Sequence, residues 1–197
     1  MEFTGKSIGF ALTGSHCTLA KAMPAMQELV DIGFDVTPIL SEAVLTHETR
    51  FGNPEKWRSQ VIEITGNEPM TTIPEVEPIG PRNLFDLLVV APCTGNSAAK
   101  LANAITDSAV VMAMKAQLRN ERPVILAIAT NDGLGNNAKN LGYLINTPNI
   151  YFVPFGQDNP EGKPNSLVSR MDLIVDTVKY ALEGKQIQPV VIEYKGI

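Results

Sequence analysis

Cysteine and histidine are scarce in this sequence, with two residues of each. Cys17 and Cys93 match neither a C-x-x-C motif nor a metal-ligand spacing, and His16 and His47 form no cluster with them. The sequence therefore predicts no metal site. It also argues against a disulfide-stapled secreted domain, because two distant cysteines in a cytosolic chain are free thiols by default.

Basic and aromatic residues are too few for a nucleic-acid-binding surface. The 16 lysines and arginines are outnumbered by 21 acidic residues, the net charge is -5, and the two signs are interspersed. Only one tryptophan, four tyrosines and seven phenylalanines are present. With neither a basic stripe nor a base-stacking platform, we expect no nucleic-acid partner; a small molecule or a protein fits better.

Long hydrophobic runs are absent as well. No apolar run approaches the roughly 18 residues of a membrane-spanning helix. Residues 1–6 lead into a strand-like run without the h-region of a signal peptide. We therefore expect a cytoplasmic protein with no membrane partner. Its length fits a single domain over residues 1–197, which would bury roughly 70% of its unfolded surface.

Short apolar runs alternate with stretches of helical periodicity along the chain. This alternation predicts a three-layer α/β/α Rossmann-like fold with a mainly parallel sheet of about six strands. Pro74, Pro78 and Pro81 predict an extended connection before the central strand. The predicted strands are residues 7–12, 35–40, 69–73, 84–91, 123–129 and 150–155, and the predicted helices are residues 20–30, 42–49, 54–64, 96–104, 108–120, 138–146 and 173–182.

The strand at residues 84–91 is the centre of the predicted site. It is apolar on both faces, as in the middle of a covered sheet, and Pro92 is expected to end its hydrogen-bond ladder. A small polar loop, Pro92-Cys93-Thr94-Gly95-Asn96-Ser97, follows it. If strand 7–12 is its neighbour where the strand order reverses, this loop faces Thr13-Gly14-Ser15. Two donor-rich loops at helix N-termini would then hold a phosphate or a carboxylate.

The loop Thr13-Gly14-Ser15 has two interpretations. It lacks the G-x-G-x-x-G and P-loop spacings, so alone it indicates an ordinary strand-to-helix turn. Combined with the second loop, it predicts an anion site. Ser41, at the end of the second strand, offers a hydroxyl group, whereas NAD sites have an acidic side chain there that binds the ribose. The serine therefore favours an FMN-like mononucleotide over NAD.

Three residues are candidates for catalysis. Arg50 lies in a loop, where its guanidinium could bind the carboxylates of an anionic substrate, and Asn96 could position that substrate. His16 is a candidate proton acceptor, with a structural histidine as the alternative. Cys17 or Cys93 could be a reactive thiol, although small buried cysteines usually serve packing. Arg82, Arg119, Arg122, Lys163 and Arg170 are further candidates for binding an anionic substrate. For these residues and for Arg50, the alternative is a solvated surface side chain without a binding role.

Residues 91–103, Ala-Pro-Cys-Thr-Gly-Asn-Ser-Ala-Ala-Lys-Leu-Ala-Asn, resemble the A-P-[AS]-[ST]-x-N-T-x-A-K-x-A-x motif of the flavin-dependent cysteine decarboxylases. That family also contains flavin prenyltransferases. The resemblance implies a Rossmann-like sheet, bound FMN, and homo-oligomers whose protomers share the flavin site. The implied cofactor-binding residues are Thr13, Gly14, Ser15, Ser41, Pro92, Cys93, Thr94, Gly95, Asn96, Ser97, Thr130 and Asn131.

Over essentially its whole length, the chain resembles the family of bacterial dipicolinate synthase B subunits. Residues 9–18, 49–52, 101–108, 154–158 and 163–166 carry this likeness. It implies an oxidoreductase of the mother cell of a sporulating bacterium. With a nicotinamide-dependent A subunit, which would bind NADP, it would convert dihydrodipicolinate to pyridine-2,6-dicarboxylate, with FMN or the nicotinamide accepting the hydride. The alternatives are an FMN-dependent decarboxylase or prenyltransferase and a non-catalytic ligand-binding protein.

The chain departs from the cysteine decarboxylases in two places. The resemblance would put a catalytic histidine shortly before the central strand, but residues 77–82 contain none. The substrate clamp of that family, P-x-M-N-x-x-M-W, is replaced around residues 129–135. Both departures disfavour decarboxylation of a peptidyl cysteine.

Overall fold

A computed structural model describes residues 4–193 of the predicted domain. Its strands are β1 (Ser7–Leu12), β2 (Asp35–Leu40), β3 (Leu87–Cys93), β4 (Val124–Thr130), β5 (Ile150–Phe152), β6 (Phe155–Gly156) and β7 (Leu167–Ser169). They form one sheet in the order β2-β1-β3-β4-β7-β6, with β5 also paired to β4. The pairs among β1 to β5 are parallel, whereas β7 is antiparallel to β4 and β6. The predicted, mainly parallel α/β fold is confirmed.

The strand order reverses at β1, because β2 lies on one side of β1 and β3 on the other. Ile8 pairs with Leu87, and Ala11 pairs with Val90, so β1 and β3 run side by side towards the same edge of the sheet. The loops that follow these two strands are therefore neighbours, as the sequence predicted. In open α/β sheets this reversal point is where ligands bind.

The helices cover both faces of the sheet. Helix bounds mostly follow local signals. Before α3, for example, the side chain of Asn53 accepts from the N–H of Lys56 (2.8 Å), and Gly66 closes the helix with φ 71°. The helices are α1 (His16–Asp31), α2 (Glu42–Thr46), α3 (Pro54–Thr65), α4 (Ile73–Val76), α5 (Ile79–Arg82), α6 (Gly95–Ala102), α7 (Ala109–Arg119), α8 (Ala138–Ile145) and α9 (Ile174–Leu182), with a 3-10 turn at Met171–Leu173.

Two hydrophobic cores separate the three layers. One lies beneath α1, α3 and α9 and includes the fully buried Phe10, Trp57 and Val178. The other lies beneath α6, α7 and α8 and includes Met114 and Leu126. Because β1, β3 and β4 contribute side chains to both cores, their strands are apolar on both faces.

The predictions for residues 69–82 were wrong. Met70 forms only an isolated bridge with Ile39 rather than a strand. The expected extended connection is helical instead, as α4 and α5. At α4, Thr72 and Glu75 form a capping box, and the intervening proline sits in the first turn, where its missing N–H costs no hydrogen bond.

Two strand boundaries also differ from the predictions. The central strand runs on through Pro92 to Cys93. The register of β3 against β4 shifts between Val90 and Cys93, so the sheet requires no regular hydrogen bond from the N–H that Pro92 lacks. The single strand predicted at residues 150–155 is divided into β5 and β6. The second of these pairs with β7, which was not predicted.

Candidate functional site

The side chain of Thr13 joins the loops that follow β1 and β3. Its hydroxyl donates to the carbonyl oxygen of Pro92 (2.7 Å) and accepts from the N–H of Thr94 (3.0 Å). Thr13 is 1% exposed, so both bonds are shielded from water. The two loops predicted to face each other therefore meet, and they do so at the starts of α1 and α6.

Gly14 brings the loop after β1 against α2. A Cβ on Gly14 would lie 2.8 Å from the Cβ of Ala43, which is closer than two such carbons approach. On the same side, the N–H of Ser41 donates to the carbonyl oxygen of Leu12 (3.1 Å). The ends of β1, β2 and β3 thus build one site.

Two polar atoms of this site are buried without a hydrogen-bond partner in the part of the chain described: Nδ1 of His16 and Oγ of Ser41. Ser41 stands at the N-cap of α2, yet its side chain makes no capping bond. Buried polar atoms in native proteins are almost always paired with protein, water or a ligand. These atoms are therefore where a bound group would find polar partners.

His16 has the protonation behaviour that a proton acceptor needs. The pKa of its imidazole lies below the usual value, because partial burial disfavours the charged form and His47 adds like-charge repulsion. The centroids of the two imidazole rings are 6.3 Å apart. The hydroxyl of Ser15, in contrast, is already hydrogen bonded to that of Thr18 (2.8 Å).

The loop after β3 uses most of its hydroxyl groups internally. Thr94 caps α6, and its Oγ1 accepts from the N–H of Ser97 (3.2 Å) and lies 3.0 Å from the Ser97 hydroxyl. Asn96, between these two residues, is exposed. Of the polar side chains predicted in this loop, the amide of Asn96 is therefore the best placed to contact a ligand.

A carboxylate that the sequence analysis did not identify, Asp132, lies against the first residue of α6. A Cβ on Gly95 would come 2.9 Å from Oδ1 of Asp132. The Thr130 hydroxyl donates to Oδ1, and Nδ2 of Asn137 lies 2.9 and 2.8 Å from the two carboxylate oxygens. These bonds hold the pKa of Asp132 below its usual range, and the bond from Thr130 has the largest effect.

A chain of amides continues from Asp132 to α6. Nδ2 of Asn140 donates to Oδ1 of Asn137 (2.7 Å), and Nδ2 of Asn103 donates to Oδ1 of Asn140 (3.2 Å). The same Asn103 nitrogen also donates to the carbonyl oxygen of Ala99 in α6 (2.7 Å). Thr130 and Asn131, after β4, are also predicted cofactor residues. Thr130 belongs to this network through its bond to Asp132, whereas Asn131 is exposed. An aspartate so close after a strand end was the signal that could have revealed the network.

Cys93 does not have the environment of a nucleophile. It is fully buried at the end of β3, and burial raises the pKa of its thiol to about 12. It therefore remains protonated at neutral pH and serves packing, which was the alternative interpretation. Cys17 is exposed in the first turn of α1, and both thiols are free.

Arg50 is exposed in the turn between α2 and α3. Thr49 and Gly52 close this turn through two backbone hydrogen bonds of 3.1 Å, and the Arg50 guanidinium lies 4.8 Å from the centroid of the Phe51 ring. Arg50 forms no ion pair within residues 4–193. By comparison, Arg122 donates to the carbonyl oxygen of Phe85 (2.6 Å), and Arg170 is paired with Asp172.

A cleft of about 980 Å³ lies elsewhere, between α1 and the β6–β7 region, and its lining includes Lys21, Glu28 and Arg170. None of the predicted cofactor-binding residues lines it, so this cleft is separate from the loops at the strand ends. Among residues 4–193, no cluster of three or more histidine, cysteine, aspartate or glutamate side chains could hold a metal ion. None of the helices within residues 4–193 combines the length and the apolar character of a membrane-spanning helix.

The sequence matches the Flavoprotein family over residues 2–178. It is also 50% identical over 193 residues to the B subunit of dipicolinate synthase from Bacillus subtilis (strain 168), in a match that covers 98% of this chain and 96% of the relative. The likeness therefore spans all the loops of the candidate site.

Solved structures agree with this result. The crystal structure of the dipicolinate synthase B subunit from Bacillus halodurans C matches with a TM-score of 0.90 at 50% identity, covering 98% of this chain and 99% of that one. The FMN-dependent cysteine decarboxylase SpaF matches with a TM-score of 0.66 at 18% identity, covering 91% of this chain and 98% of that one. At this lower identity, the second likeness shows the fold alone.

Proposed function

The chain belongs to the Flavoprotein family, and from this premise we propose that it acts as the B subunit of a dipicolinate synthase. Together with an A subunit, it would convert dihydrodipicolinate to dipicolinate, pyridine-2,6-dicarboxylate, during sporulation. The observation that carries the proposal is the 50% identity to a dipicolinate synthase B subunit over 98% of the chain.

FMN is the proposed cofactor, and its phosphate would be held by the loop after β1 and by Ser41. The unpartnered Oγ of Ser41 fits such a group, and so do the N–H groups at the start of α1, a helix with no side-chain cap. The carboxylate of Asp132 makes the start of α6 less suitable for a phosphate. The other proposed cofactor residues are Pro92, Cys93, Thr94, Gly95, Asn96, Ser97, Thr130 and Asn131, the first two through the backbone of the loop because their side chains are buried. When bound, a flavin supplies an acceptor for two electrons and a proton.

Arg50 and Asn96 are proposed to bind the substrate. Dihydrodipicolinate carries two carboxylates, and an unpaired, exposed guanidinium such as that of Arg50 is suited to bind one of them. The amide of Asn96 would hold the orientation of the ring. Because aromatisation itself is favourable, positioning accounts for much of what these residues need to do.

His16 is the proposed proton acceptor. Loss of two hydrogens from the substrate releases a hydride and a proton, and the proton needs a base. The lowered pKa of His16 keeps its imidazole neutral at physiological pH, so that it can accept this proton.

The A subunit of dipicolinate synthase is the proposed protein partner and would bind NADP. We further propose a homo-oligomer of this chain, located in the cytoplasm of the mother cell. The support for the A subunit as partner is the likeness to a relative named as a B subunit, since that name implies a second kind of subunit. The homo-oligomer and the location follow from the family resemblance of the sequence.

The decisive experiment compares the isolated A subunit with the A subunit plus this chain, with and without added FMN, in an assay for dipicolinate formation. We expect activity only when both chains are present and flavin absorbance in the purified complex. Arg50→Gln should raise KM for the substrate about 10- to 100-fold, by loss of a charge-assisted hydrogen bond. Arg58→Gln, which removes a partly exposed arginine of α3 that is paired with Glu68, is the control and should leave KM unchanged.

Other outcomes would identify the alternative functions. Full activity of the isolated A subunit would make this chain a non-catalytic binding protein. Turnover of a cysteine or prenyl substrate without the A subunit would indicate a decarboxylase or a prenyltransferase. Intact synthase activity in Asn96→Asp, in a protein that never binds FMN, would show that the site is wrongly assigned.

A further inference from the structure

Asp132 borders the proposed substrate site, and the proposed function gives it no role. Its carboxylate, with the Thr130 hydroxyl and the Asn137 amide, occupies the space beside Gly95 that a side chain would fill, and the next residue along the chain is Asn96, a proposed substrate ligand. It also follows the end of β4, at the edge of the sheet to which the loop after β3 belongs. The site therefore contains a negative charge on its β4 side.

This charge is held rigidly and is not neutralised by a cation. The donors to the carboxylate are the Thr130 hydroxyl and the Asn137 amide, and Asn140 in turn fixes Asn137. No lysine, arginine or histidine within residues 4–193 forms an ion pair with Asp132. The bonds from Thr130 and Asn137 also favour its ionised form. A fixed, ionised carboxylate of this kind acts on charge that appears near it during a reaction.

Aromatisation of a dihydropyridine produces such a charge. A C–H bond of the neutral ring breaks, and both of its electrons leave with the hydrogen as a hydride, so the ring is oxidised and becomes a cation. The hydride passes to an oxidised acceptor of the nicotinamide or flavin class, which is reduced. The cation then loses a proton to a base and becomes a neutral pyridine.

We propose that Asp132 stabilises the positive charge that develops on the substrate ring as the hydride leaves. The inference rests on the proposed function and adds an electrostatic role for Asp132 to it. Asp132 remains ionised throughout and forms no covalent bond. It repels the dianionic substrate before the reaction and attracts the cationic ring during it, so its effect is selective for the transition state.

Two ligands of the same shape test this proposal on the unmodified protein. N-Methylpyridinium-2,6-dicarboxylate carries a cationic ring, and 2-methylbenzene-1,3-dicarboxylate carries a neutral one. We expect the complex with the A subunit to bind the cationic ring about tenfold more tightly, as measured by calorimetry. Equal affinities would overturn the role of Asp132, whether or not any variant folds.

The variant Asp132→Asn separates a charge effect from a structural one. We expect hydride transfer, measured in single turnovers, to slow about 10- to 100-fold, because a preorganised charge is lost. The affinity for dipicolinate should rise several-fold, since its two carboxylates are no longer repelled. The preference for the cationic ring should disappear. Loss of rate together with loss of affinity would indicate a merely structural residue and overturn the proposal.

Two controls complete the experiment. Asp176→Asn removes an exposed carboxylate from α9 and should change neither rate nor affinity. Asn140→Ala loosens the network but keeps the charge of Asp132, so the preference for the cationic ring should persist. If the complex neither turns over dihydrodipicolinate nor binds dipicolinate, the proposed function fails as well. Normal turnover without a preference for the cationic ring would overturn the role of Asp132 alone.

Discussion

The hydroxyl of Thr13 and the backbone of Pro92 are hydrogen bonded across the point where the strand order reverses. The same hydroxyl accepts from the N–H of Thr94, so one buried side chain fixes two loops that are about 80 residues apart along the chain. Because α1 begins after one loop and α6 after the other, this pair of bonds also sets how the two helix N-termini face each other.

Replacement of Thr13 by valine should therefore destabilise the protein. Valine has a similar shape but leaves the carbonyl of Pro92 and the N–H of Thr94 without partners in the interior. We expect the free energy of unfolding in urea to fall by about 1–3 kcal/mol. Thr46→Val, at an exposed position where the hydroxyl bonds within its own helix, is the matched control. An equal effect of both variants would contradict the special role of Thr13.

Gly14→Ala should weaken FMN binding. A Cβ at this position would lie 2.8 Å from that of Ala43, so the loop after β1 must move away from α2 and from Ser41. We expect the dissociation constant for FMN, followed by quenching of flavin fluorescence, to rise at least about tenfold, which corresponds to 1.4 kcal/mol. Riboflavin, which lacks the phosphate, should be affected much less.

Gly142→Ala is the control for this prediction. Gly142 lies in α8, and a Cβ there would meet nothing within 4 Å. Alanine should stabilise this helix by roughly 0.5–1 kcal/mol and leave FMN affinity unchanged. Unchanged FMN affinity in Gly14→Ala would mean that the loop after β1 does not contact the cofactor.

The sequence was sufficient for features that depend on short-range signals. Helix α3 begins after Asn53 and ends at Gly66, as predicted, because a capping residue acts on backbone groups within a single turn. The meeting of the loops after β1 and β3 was also predictable, because the topology of parallel sheets puts the ligand site where the strand order reverses.

Other features depended on contacts that the sequence does not reveal. The prolines of residues 74–81 suggested an extended chain, yet the capping box of Thr72 and Glu75 allowed a helix to form around the first of them. The strand β7 has three residues and is defined by pairing with β4, almost 40 residues away along the chain. Asp132 looked like an ordinary loop residue until folding brought Gly95 against its carboxylate.

The pH dependence of stability should show the contribution of His16. Its pKa is lowered in the folded state, so at acidic pH the unfolded chain binds more protons at this residue than the native protein does. Stability from this group is therefore fully present above the ordinary histidine value of about 6.5 and is lost as the pH falls through the lower, folded-state pKa.

His16→Gln should reduce this acid destabilisation, as measured by urea unfolding between pH 5 and pH 8. His47→Gln should raise the pKa of His16, observed by NMR titration, because the neighbouring like charge is removed. An unchanged titration of His16 in this second variant would contradict the electrostatic coupling of the two rings, which are 6.3 Å apart.

The two cysteines should differ in reactivity. Cys17 is exposed, whereas Cys93 is fully buried and the pKa of its thiol is raised to about 12. Since the thiolate is the reactive form, we expect iodoacetamide at pH 8 to label Cys17 in the native protein and both residues after denaturation in urea. Peptide mass spectrometry would locate the label. Rapid labelling of Cys93 in the native state would show that the end of β3 opens to solvent, and the joining of the two loops by Thr13 would then not be permanent.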